Sequence, residues 1–146
     1  MPATIVQKRI LIIDDVSSIR AFVKAVLKEE PLQLSEAGGG QQALEQLAVA
    51  TVDLILCDVN MHGMDGPEFV ARLRQTGDRT PVIMLTAEGD RDVIGKLIEL
   101  GIQGYILKPF KPAVLLARVR EVLCPAAQTS VGDGPTVEPR SDPGYG

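Results

Sequence analysis

Polar side chains that could do chemistry stand at the ends of four apolar runs in this sequence. The runs, with the residues that end them, are 10–13 with Asp14 and Asp15, 54–57 with Asp58, 82–85 with Thr86, and 105–107 with Lys108. Three carboxylates can together hold a divalent cation, and a lysine can supply a further positive charge beside them. They can do so only if the fold brings the four run ends to one place.

Each of these residues has a simpler explanation when it is taken alone. A strand-end aspartate such as Asp14 or Asp15 typically caps the following helix, and a loop lysine such as Lys108 is typically solvated. Thr86 alone is typical of a strand-end hydroxyl. Independent capping residues would not supply three acids, a hydroxyl and a lysine at neighbouring strand ends, so we interpret the set as one site.

Five apolar runs alternate along the chain with segments of helical periodicity. The predicted buried strands are Ile10–Ile13, Leu32–Leu34, Leu54–Cys57, Val82–Leu85 and Tyr105–Leu107. The predicted helices carry apolar stripes within 19–27, 43–47 and 69–73, or span 90–100 and 112–123. This alternation predicts an α/β protein of the flavodoxin-like, doubly wound (βα)5 type, with a five-stranded parallel sheet in the order 2-1-3-4-5.

In that strand order the carboxyl ends of strands 1 and 3 are neighbours, and ligands of open α/β sheets collect at such a place. Asp14, Asp15 and Asp58 would then converge in one crevice, where their charges repel unless a cation lies among the oxygens. Carboxylate oxygens with room for water suit Mg²⁺. Lys108 would supply the other positive charge.

The same residues lie in motifs that resemble a known family. The motifs are IDD at 13–15, Asp58 with the following MDG at 64–66, TAE at 86–88, and YILKPF at 105–110. Over roughly residues 8–124 the sequence resembles the receiver domain of bacterial two-component response regulators. The residues at positions 60 and 88 are similar to those of the single-domain chemotaxis regulator of this family.

The resemblance implies a role for each acid of the predicted crevice. It implies that Asp58 is the phospho-acceptor and that Asp15 and Asp58, with the backbone carbonyl of Asn60, bind Mg²⁺. It implies further that Asp14 acts on the metal through water.

The resemblance also implies how phosphorylation changes the structure elsewhere in the domain. Lys108 and Thr86 would engage the phosphoryl group, and Thr86 and Tyr105 would form a switch in which the aromatic ring turns inward. Asn60 and Glu88 stand at two positions that tune dephosphorylation in the family. The chain would therefore be a signalling switch that phosphorylates and dephosphorylates itself, and not an enzyme that turns over separate substrates.

The implied partners are a sensor histidine kinase or phosphotransfer protein as donor, and a downstream protein or a second copy as target. We expect the target to bind the surface formed by the fourth helix, the fifth strand and the fifth helix. Ile94 on the fourth helix is the predicted exposed contact, because that helix has more apolar residues than one buried stripe needs. The bond between Lys108 and Pro109 is predicted to be cis, because the chain must reverse sharply there.

Composition narrows the remaining classes of protein. The chain has 146 residues, of which 45% are hydrophobic and 23% charged, with a net charge of -4. This predicts a single domain with no direct contact to nucleic acid and none to a membrane. The N-terminus has no signal-peptide core, and Cys57 and Cys124 form no metal-binding spacing, so a cytoplasmic location with reduced thiols is the expectation.

The domain boundaries follow from where the periodicity starts and stops. We interpret 1–7 as an N-terminal extension, 8–124 as the receiver domain, and 125–146 as a flexible tail rich in Pro and Gly. An alternative interpretation is that the chain is cut from a larger regulator with an output domain, for which 125–146 would be the linker.

Two further alternatives and one departure from the family pattern remain. A magnesium-dependent phosphatase of the haloacid-dehalogenase type also uses a nucleophilic aspartate, but here its motif would be Asp58-Val59-Asn60, without the second acid. A flavin-binding module is disfavoured by acidic loops and by few aromatic residues. The departure is His62, the only histidine, which stands where the family commonly has proline.

Overall fold

The computed structural model of the protein describes residues 7–87 and 91–124, in which strands and helices alternate. The strands are β1 (Lys8–Ile13), β2 (Leu32–Ala37), β3 (Leu54–Asp58), β4 (Val82–Ala87) and β5 (Gly104–Lys108). The helices are α1 (Ser17–Leu27), α2 (Gly40–Val49), α3 (Gly66–Gln75), α4 (Arg91–Glu99) and α5 (Pro112–Leu123). Each predicted strand and helix is therefore present, with ends displaced by a few residues at most of them.

The five strands form one parallel sheet in the order β2-β1-β3-β4-β5, which confirms the predicted fold and strand order. The chain goes from β1 to one side to form β2 and then crosses to the other side to form β3. The carboxyl ends of β1 and β3 therefore flank the point where the winding reverses, and a crevice opens there.

The core lies on both faces of the sheet. Alternate residues of each strand point to opposite faces, so Leu11 and Ile13 pack with α2, α3 and α4, whereas Ile10 and Ile12 pack with α1 and α5. All five residues of β3 are buried, as expected for a strand with neighbours on both sides.

The two outer strands depart from the prediction that all five are buried. β2 and β5 each have one neighbouring strand only, and their residues alternate between buried or half-buried and exposed positions. Tyr105 and Leu107 of β5 are exposed as a result. Short apolar runs do not distinguish a central strand from an edge strand, because both are rich in the same residue types.

Local signals in the sequence explain where two helices begin and end. Asp65 caps α3, because its side chain accepts a hydrogen bond of 2.9 Å from the backbone N–H of Glu68. Gly101 follows α4 with a φ of 88°, the left-handed conformation that glycine adopts without strain. The peptide bond between Lys108 and Pro109 is cis, which confirms that prediction.

The prediction that Ile94 is the exposed apolar residue of α4 is wrong. Ile94 is half-buried and packs against the core, whereas Ile98, one turn further on, has 58% of its surface exposed. The apolar pattern of α4 correctly indicated a surplus of apolar residues. It did not determine the rotation of the helix about its axis, which depends on packing against the sheet.

Arg74 forms hydrogen bonds that link α3, the carboxyl end of α4 and the connection before β4. The guanidinium of Arg74 on α3 donates hydrogen bonds to the backbone carbonyls of Leu100 and Gly101, at 3.3 and 3.0 Å. It also donates to the carbonyls of Asp78 and Thr80, at 3.1 and 3.0 Å. The carboxyl end of α4 is therefore attached to α3 and to the connection that leads into β4.

Several predictions fall on residues that lie outside the described ranges. They concern Glu88, nearly all of the predicted N-terminal extension, and the predicted tail at 125–146. Among the described helices, none is both long enough and apolar enough to cross a membrane.

Candidate functional site

Three aspartates meet where β1 and β3 end. Asp14 and Asp15 directly follow β1, and Asp58 is the last residue of β3. Each offers a carboxylate oxygen, and these oxygens all lie within 4.8 Å of one another. Asp14 is fully buried and Asp58 is 5% exposed. The structure thus brings together the three acids that the sequence placed at two separate strand ends.

Lys108 reaches this cluster from β5. Its Nζ donates to Oδ1 of Asp58 at 2.7 Å and lies 3.7 Å from Oδ2 of Asp14. The lysine can span this distance because β3, β4 and β5 are consecutive strands of the sheet, and its side chain remains partly exposed. Its charge balances part of the negative charge that the three acids bring together.

The carboxylate of Asp14 is incompletely satisfied. Its Oδ1 accepts a hydrogen bond of 2.9 Å from the backbone N–H of Val16. Its Oδ2 is buried and accepts no hydrogen bond from any described residue. Burial, and after it the charge of Asp58, raises the pKa of Asp14 above its ordinary value. A buried oxygen left without a donor, among other carboxylates, fits a site that holds a hard divalent cation such as Mg²⁺.

The carboxylate of Asp15 accepts hydrogen bonds from His62, a residue to which the sequence analysis assigned no role. Both the backbone N–H and the Nδ1 of His62 contact Oδ2 of Asp15, at 2.8 and 2.6 Å. These two contacts, first the backbone and then the ring, lower the pKa of Asp15. The imidazole is otherwise fully exposed.

The loop between β3 and α3 is held close to the phospho-acceptor candidate by Gly66. The backbone N–H of Gly66 donates to the carbonyl of Val59 at 2.8 Å. A Cβ on Gly66 would lie 2.7 Å from Cε of Met84 and 2.9 Å from the carbonyl oxygen of Asp58, closer than real Cβ atoms come. Only glycine therefore lets α3 begin here without displacing the strand end. Asn60 lies in this loop and is exposed.

The two predicted switch residues lie on the same face of the sheet. Thr86 is fully buried, and its hydroxyl lies 3.3 Å from the carbonyl oxygen of Ala87, to which it donates. Tyr105 pairs with Met84 and Leu107 pairs with Thr86, so Thr86 and Tyr105 stand at diagonal positions of adjacent strands. Tyr105 is 41% exposed.

A sequence model of the response regulator receiver domain matches residues 10–120, which is most of the chain. The chain belongs to the response regulator receiver domain family. The motifs at its strand ends are thus those of a receiver domain of two-component signal transduction.

Two relatives of this receiver domain are transcriptional or DNA-binding regulators by name. The transcriptional regulatory protein ResD of Bacillus subtilis strain 168 is 38% identical over 124 residues, 85% of this chain and 51% of ResD. The DNA-binding response regulator MtrA of Mycolicibacterium smegmatis is 36% identical over 132 residues, 87% of this chain and 58% of MtrA. The chain therefore spans about half the length of these curated relatives.

Solved structures of receiver domains have the same fold. The chemotaxis protein CheY4 of Vibrio cholerae superposes with a TM-score of 0.75 at 34% identity, covering 80% of this chain and 99% of CheY4. The signal receiver domain of an HD domain-containing protein from Pseudomonas fluorescens Pf-5 gives a TM-score of 0.77 at 33% identity, covering 86% and 99%.

The sequence located the acids of this receiver domain but missed two residues that position them. The contact of His62 with Asp15 was not foreseen, because the direction of a loop side chain depends on the path of the loop. The need for glycine at position 66 could have been found, since the MDG motif places a glycine directly at the start of α3.

Proposed function

We propose that this receiver domain accepts a phosphoryl group on Asp58 in the presence of Mg²⁺ and thereby changes its affinity for a partner. The donor would be a sensor histidine kinase, a phosphotransfer protein or a small phosphodonor. The observation that carries the proposal is the ion pair of 2.7 Å between Lys108 and Asp58, in a crevice that also holds Asp14 and Asp15. An acid, a lysine and a cation site at this spacing suit phosphoryl transfer.

The chemistry follows from the atoms that line the crevice. A carboxylate oxygen of Asp58 attacks the phosphorus, a new P–O bond forms, and the bond to the donor breaks with its electron pair remaining on the donor. Lys108 donates to the phosphoryl oxygens, and the hydroxyl of Thr86 donates a further hydrogen bond to them. Asp14 and Asp15, with Asp58 and the backbone carbonyl of Asn60, would hold Mg²⁺, which supplies positive charge for the transferring group.

We propose a switch and not a phosphatase that turns over separate substrates. A haloacid-dehalogenase-type enzyme requires a second acid two residues after the nucleophile, and here that residue is Asn60. Asn60, together with Glu88, would instead set how long the phosphoryl group persists. An assay with a phosphate ester such as p-nitrophenyl phosphate should show no Mg²⁺-dependent turnover, and sustained turnover would favour the phosphatase.

The partner would bind the surface of α4, β5 and α5. Four large apolar residues of the described parts of these elements are exposed: Ile98, Tyr105, Leu107 and Val114. Such a patch fits a downstream protein or a second copy of the chain. Because the net charge is -4, we propose no direct contact between this chain and DNA, although MtrA is named a DNA-binding response regulator.

Mass spectrometry tests the proposed acceptor. After incubation with acetyl phosphate and Mg²⁺, the wild-type protein should gain the mass of one phosphoryl group, and EDTA should abolish the gain. Asp58→Asn should gain nothing. Asp53→Asn is the matched control, because Asp53 directly precedes β3 at the opposite end of the strand, and it should be labelled like the wild type. Labelling of Asp58→Asn at the wild-type level would refute the assignment.

A further inference from the structure

We propose that His62 is a positioning residue of the magnesium site: through two hydrogen bonds to one oxygen of Asp15, it holds that carboxylate in the orientation that binds Mg²⁺. The inference rests on the proposed function only in taking the acidic cluster as a Mg²⁺ site. His62 does not touch the ion, and it raises the affinity for the ion through Asp15.

Two donors of His62 meet the same oxygen of Asp15. The backbone N–H of His62 donates to Oδ2 at 2.8 Å, and Nδ1–H of the ring donates to the same atom at 2.6 Å. Hydrogen bonds to an ionised carboxylate are about twice as strong as neutral ones, so the pair restricts the rotation of this side chain. Neither contact uses Oδ1, so the carboxylate keeps an oxygen for a cation.

The other two acids of the cluster are held without His62. Asp14 is fully buried, and Asp58 pairs with Lys108 at 2.7 Å. Asp15 lies on the exposed side of the cluster, with 17% of its side-chain surface accessible. In the part of the chain that the structure describes, His62 is the residue that donates to this carboxylate from another segment. The orientation of Asp15 therefore depends on His62.

The contact also joins the two loops that border the crevice. Asp15 belongs to the connection from β1 to α1, and His62 belongs to the connection from β3 to α3, 47 residues further along the chain. Asn60, whose backbone carbonyl is a proposed Mg²⁺ ligand, lies two residues before His62. Because His62 links both proposed ligands, less freedom is lost when an ion binds them.

The orphaned oxygen of the cluster indicates that a cation belongs beside these acids. Oδ2 of Asp14 is buried and accepts no hydrogen bond within residues 7–87 and 91–124. Donors that hold a metal-ligating carboxylate typically contribute about ten- to a hundredfold to the affinity for the ion. Since the ring of His62 is fully exposed and water competes with it, we expect the lower end of this range.

Calorimetric titration with Mg²⁺ tests the ring as a donor. His62→Ala keeps the backbone N–H and loses the ring, so it should bind Mg²⁺ about tenfold more weakly than the wild type. His62→Asn should stay within about twofold of the wild type, because its amide nitrogen is bonded to Cγ as Nδ1 is and also donates. His62→Leu is the matched control, since it branches at the same carbon without a donor, and it should bind as weakly as His62→Ala. Far-ultraviolet circular dichroism should be the same for all four proteins.

Nitrogen NMR of the imidazole gives a readout that does not depend on affinity. His62 is the only histidine, so in a protein without a polyhistidine tag both ring signals belong to it. In mildly alkaline solution the neutral ring of the wild type should carry its proton on Nδ1, because that nitrogen donates to Asp15. The proton should remain there when Mg²⁺ saturates the site, and it should move to Nε2 in Asp15→Ala, which lacks the acceptor.

Three results would overturn the inference. The first is a His62→Ala protein that binds Mg²⁺ as tightly as the wild type or more tightly. The second is a His62→Asn protein that binds as weakly as His62→Leu, which would show that the donor is not what matters. The third is a wild-type ring whose proton lies on Nε2.

Labelling of Asp58 by acetyl phosphate separates this inference from the proposed function. If Asp58 is labelled but all three His62 variants bind Mg²⁺ like the wild type, only the role of His62 is wrong. If Asp58 is not labelled but His62→Ala loses affinity for Mg²⁺ and His62→Asn retains it, the proposed function fails and the inference about His62 stands by itself.

Discussion

Asp14 and Asp15 are neighbours in the chain, yet the fold gives their carboxyl groups opposite effects on stability. The pKa of Asp14 is raised above its ordinary value of 3.8 by burial and by Asp58, so the folded state holds its proton more tightly than the unfolded state. Its contribution to stability is therefore lost as the pH rises from about 4 through the raised pKa, and at neutral pH the charge destabilises the protein. The pKa of Asp15 is lowered by His62, so Asp15 stabilises the folded state above pH 3.8, and this contribution is lost in acid.

Replacing the buried acid tests this electrostatic account. Without divalent ions at pH 7, Asp14→Asn should be more stable than the wild type by about 1 kcal/mol, because it removes a buried charge and keeps an oxygen for the N–H of Val16. The difference should shrink as the pH falls toward 4. Urea denaturation at pH 7 and near pH 4 would measure the stability difference and its dependence on pH, and a repeat with Mg²⁺ would show the effect of the ion. A less stable Asp14→Asn would show that the ion pair with Lys108 outweighs the cost of burial.

At the residue scale the sequence could predict which side chains matter but not all of their contacts. Asp14, Asp58 and Lys108 could be placed together because each ends a strand, and parallel strands end at one edge. The contact between His62 and Asp15 could not be predicted, since a loop residue has no periodicity that fixes its direction. The paired contacts of Asp15 were therefore found only in the structure.

At the scale of elements, α4 and β5 present the surface that a partner would use. Their exposed apolar residues follow from position: β5 is an edge strand, and Ile98 lies beside the buried face of α4 that Leu97 marks, with 58% of its surface exposed. The sequence indicated that α4 has surplus apolar residues. It could not indicate which one is exposed, because Ile94 and Ile98 are four residues apart and lie only about 40° from each other around the helix axis.

Substitutions on α4 distinguish the surface residue from the packed one. Ile98→Glu should leave the free energy of unfolding within about 0.5 kcal/mol of the wild type, whereas Ile94→Glu should lower it by at least about 1 kcal/mol. In a pull-down with acetyl phosphate, Ile98→Glu should lose the partners that the phosphorylated wild type retains. Retention of those partners by Ile98→Glu would argue against this surface.

A second prediction at this scale concerns Thr86 and Tyr105, which stand diagonally on β4 and β5. Shifting a two-state equilibrium from 1:99 to 99:1 requires about 5.5 kcal/mol, which hydrogen bonds from Lys108 and Thr86 to a phosphoryl group could supply jointly. Thr86→Ala should accept the phosphoryl group on Asp58 but show a much smaller gain in partner affinity.

The ring of Tyr105 reports the same switch. Tyr105 is 41% exposed in this structure, and a phosphoryl mimic at Asp58 should turn the ring inward. Crystal structures with and without the mimic would measure this change. An unchanged Tyr105, together with full partner binding by Thr86→Ala, would exclude the mechanism.

At the scale of the whole molecule, the strand order determines the site, because the winding reverses between β1 and β3. The fold could be predicted from the sequence since five apolar runs alternate with helical periods, and this pattern has few arrangements in a parallel sheet. The hydrogen bonds that attach one helix to the end of another could not be predicted. Arg74 shows why: a lone arginine on a helix gives no sign that it will meet four carbonyls from two other segments.

The Arg74 contacts should contribute measurably to global stability. Arg74→Ala leaves four carbonyls without this donor, and we expect the free energy of unfolding to fall by about 2 kcal/mol. Arg72→Ala is the matched control on the same helix, because the side chain of Arg72 forms an exposed ion pair with Glu68 as its one polar contact among the described residues, and its loss should cost about 0.5 kcal/mol or less. Equal effects in urea denaturation would show that the carbonyls are satisfied equally well by water.

The attachment at Arg74 also makes α4 a lever with its pivot at one end. The guanidinium holds the carbonyls of Leu100 and Gly101, while the other end of the helix begins at Arg91, after β4 and Thr86. The nine residues of α4 span about 13 Å, so a tilt of about 10° about the pivot moves the amino end by about 2 Å. Movement would thus be largest near the phosphoryl site and smallest near Arg74, and distance probes attached along α4 would report it in that order.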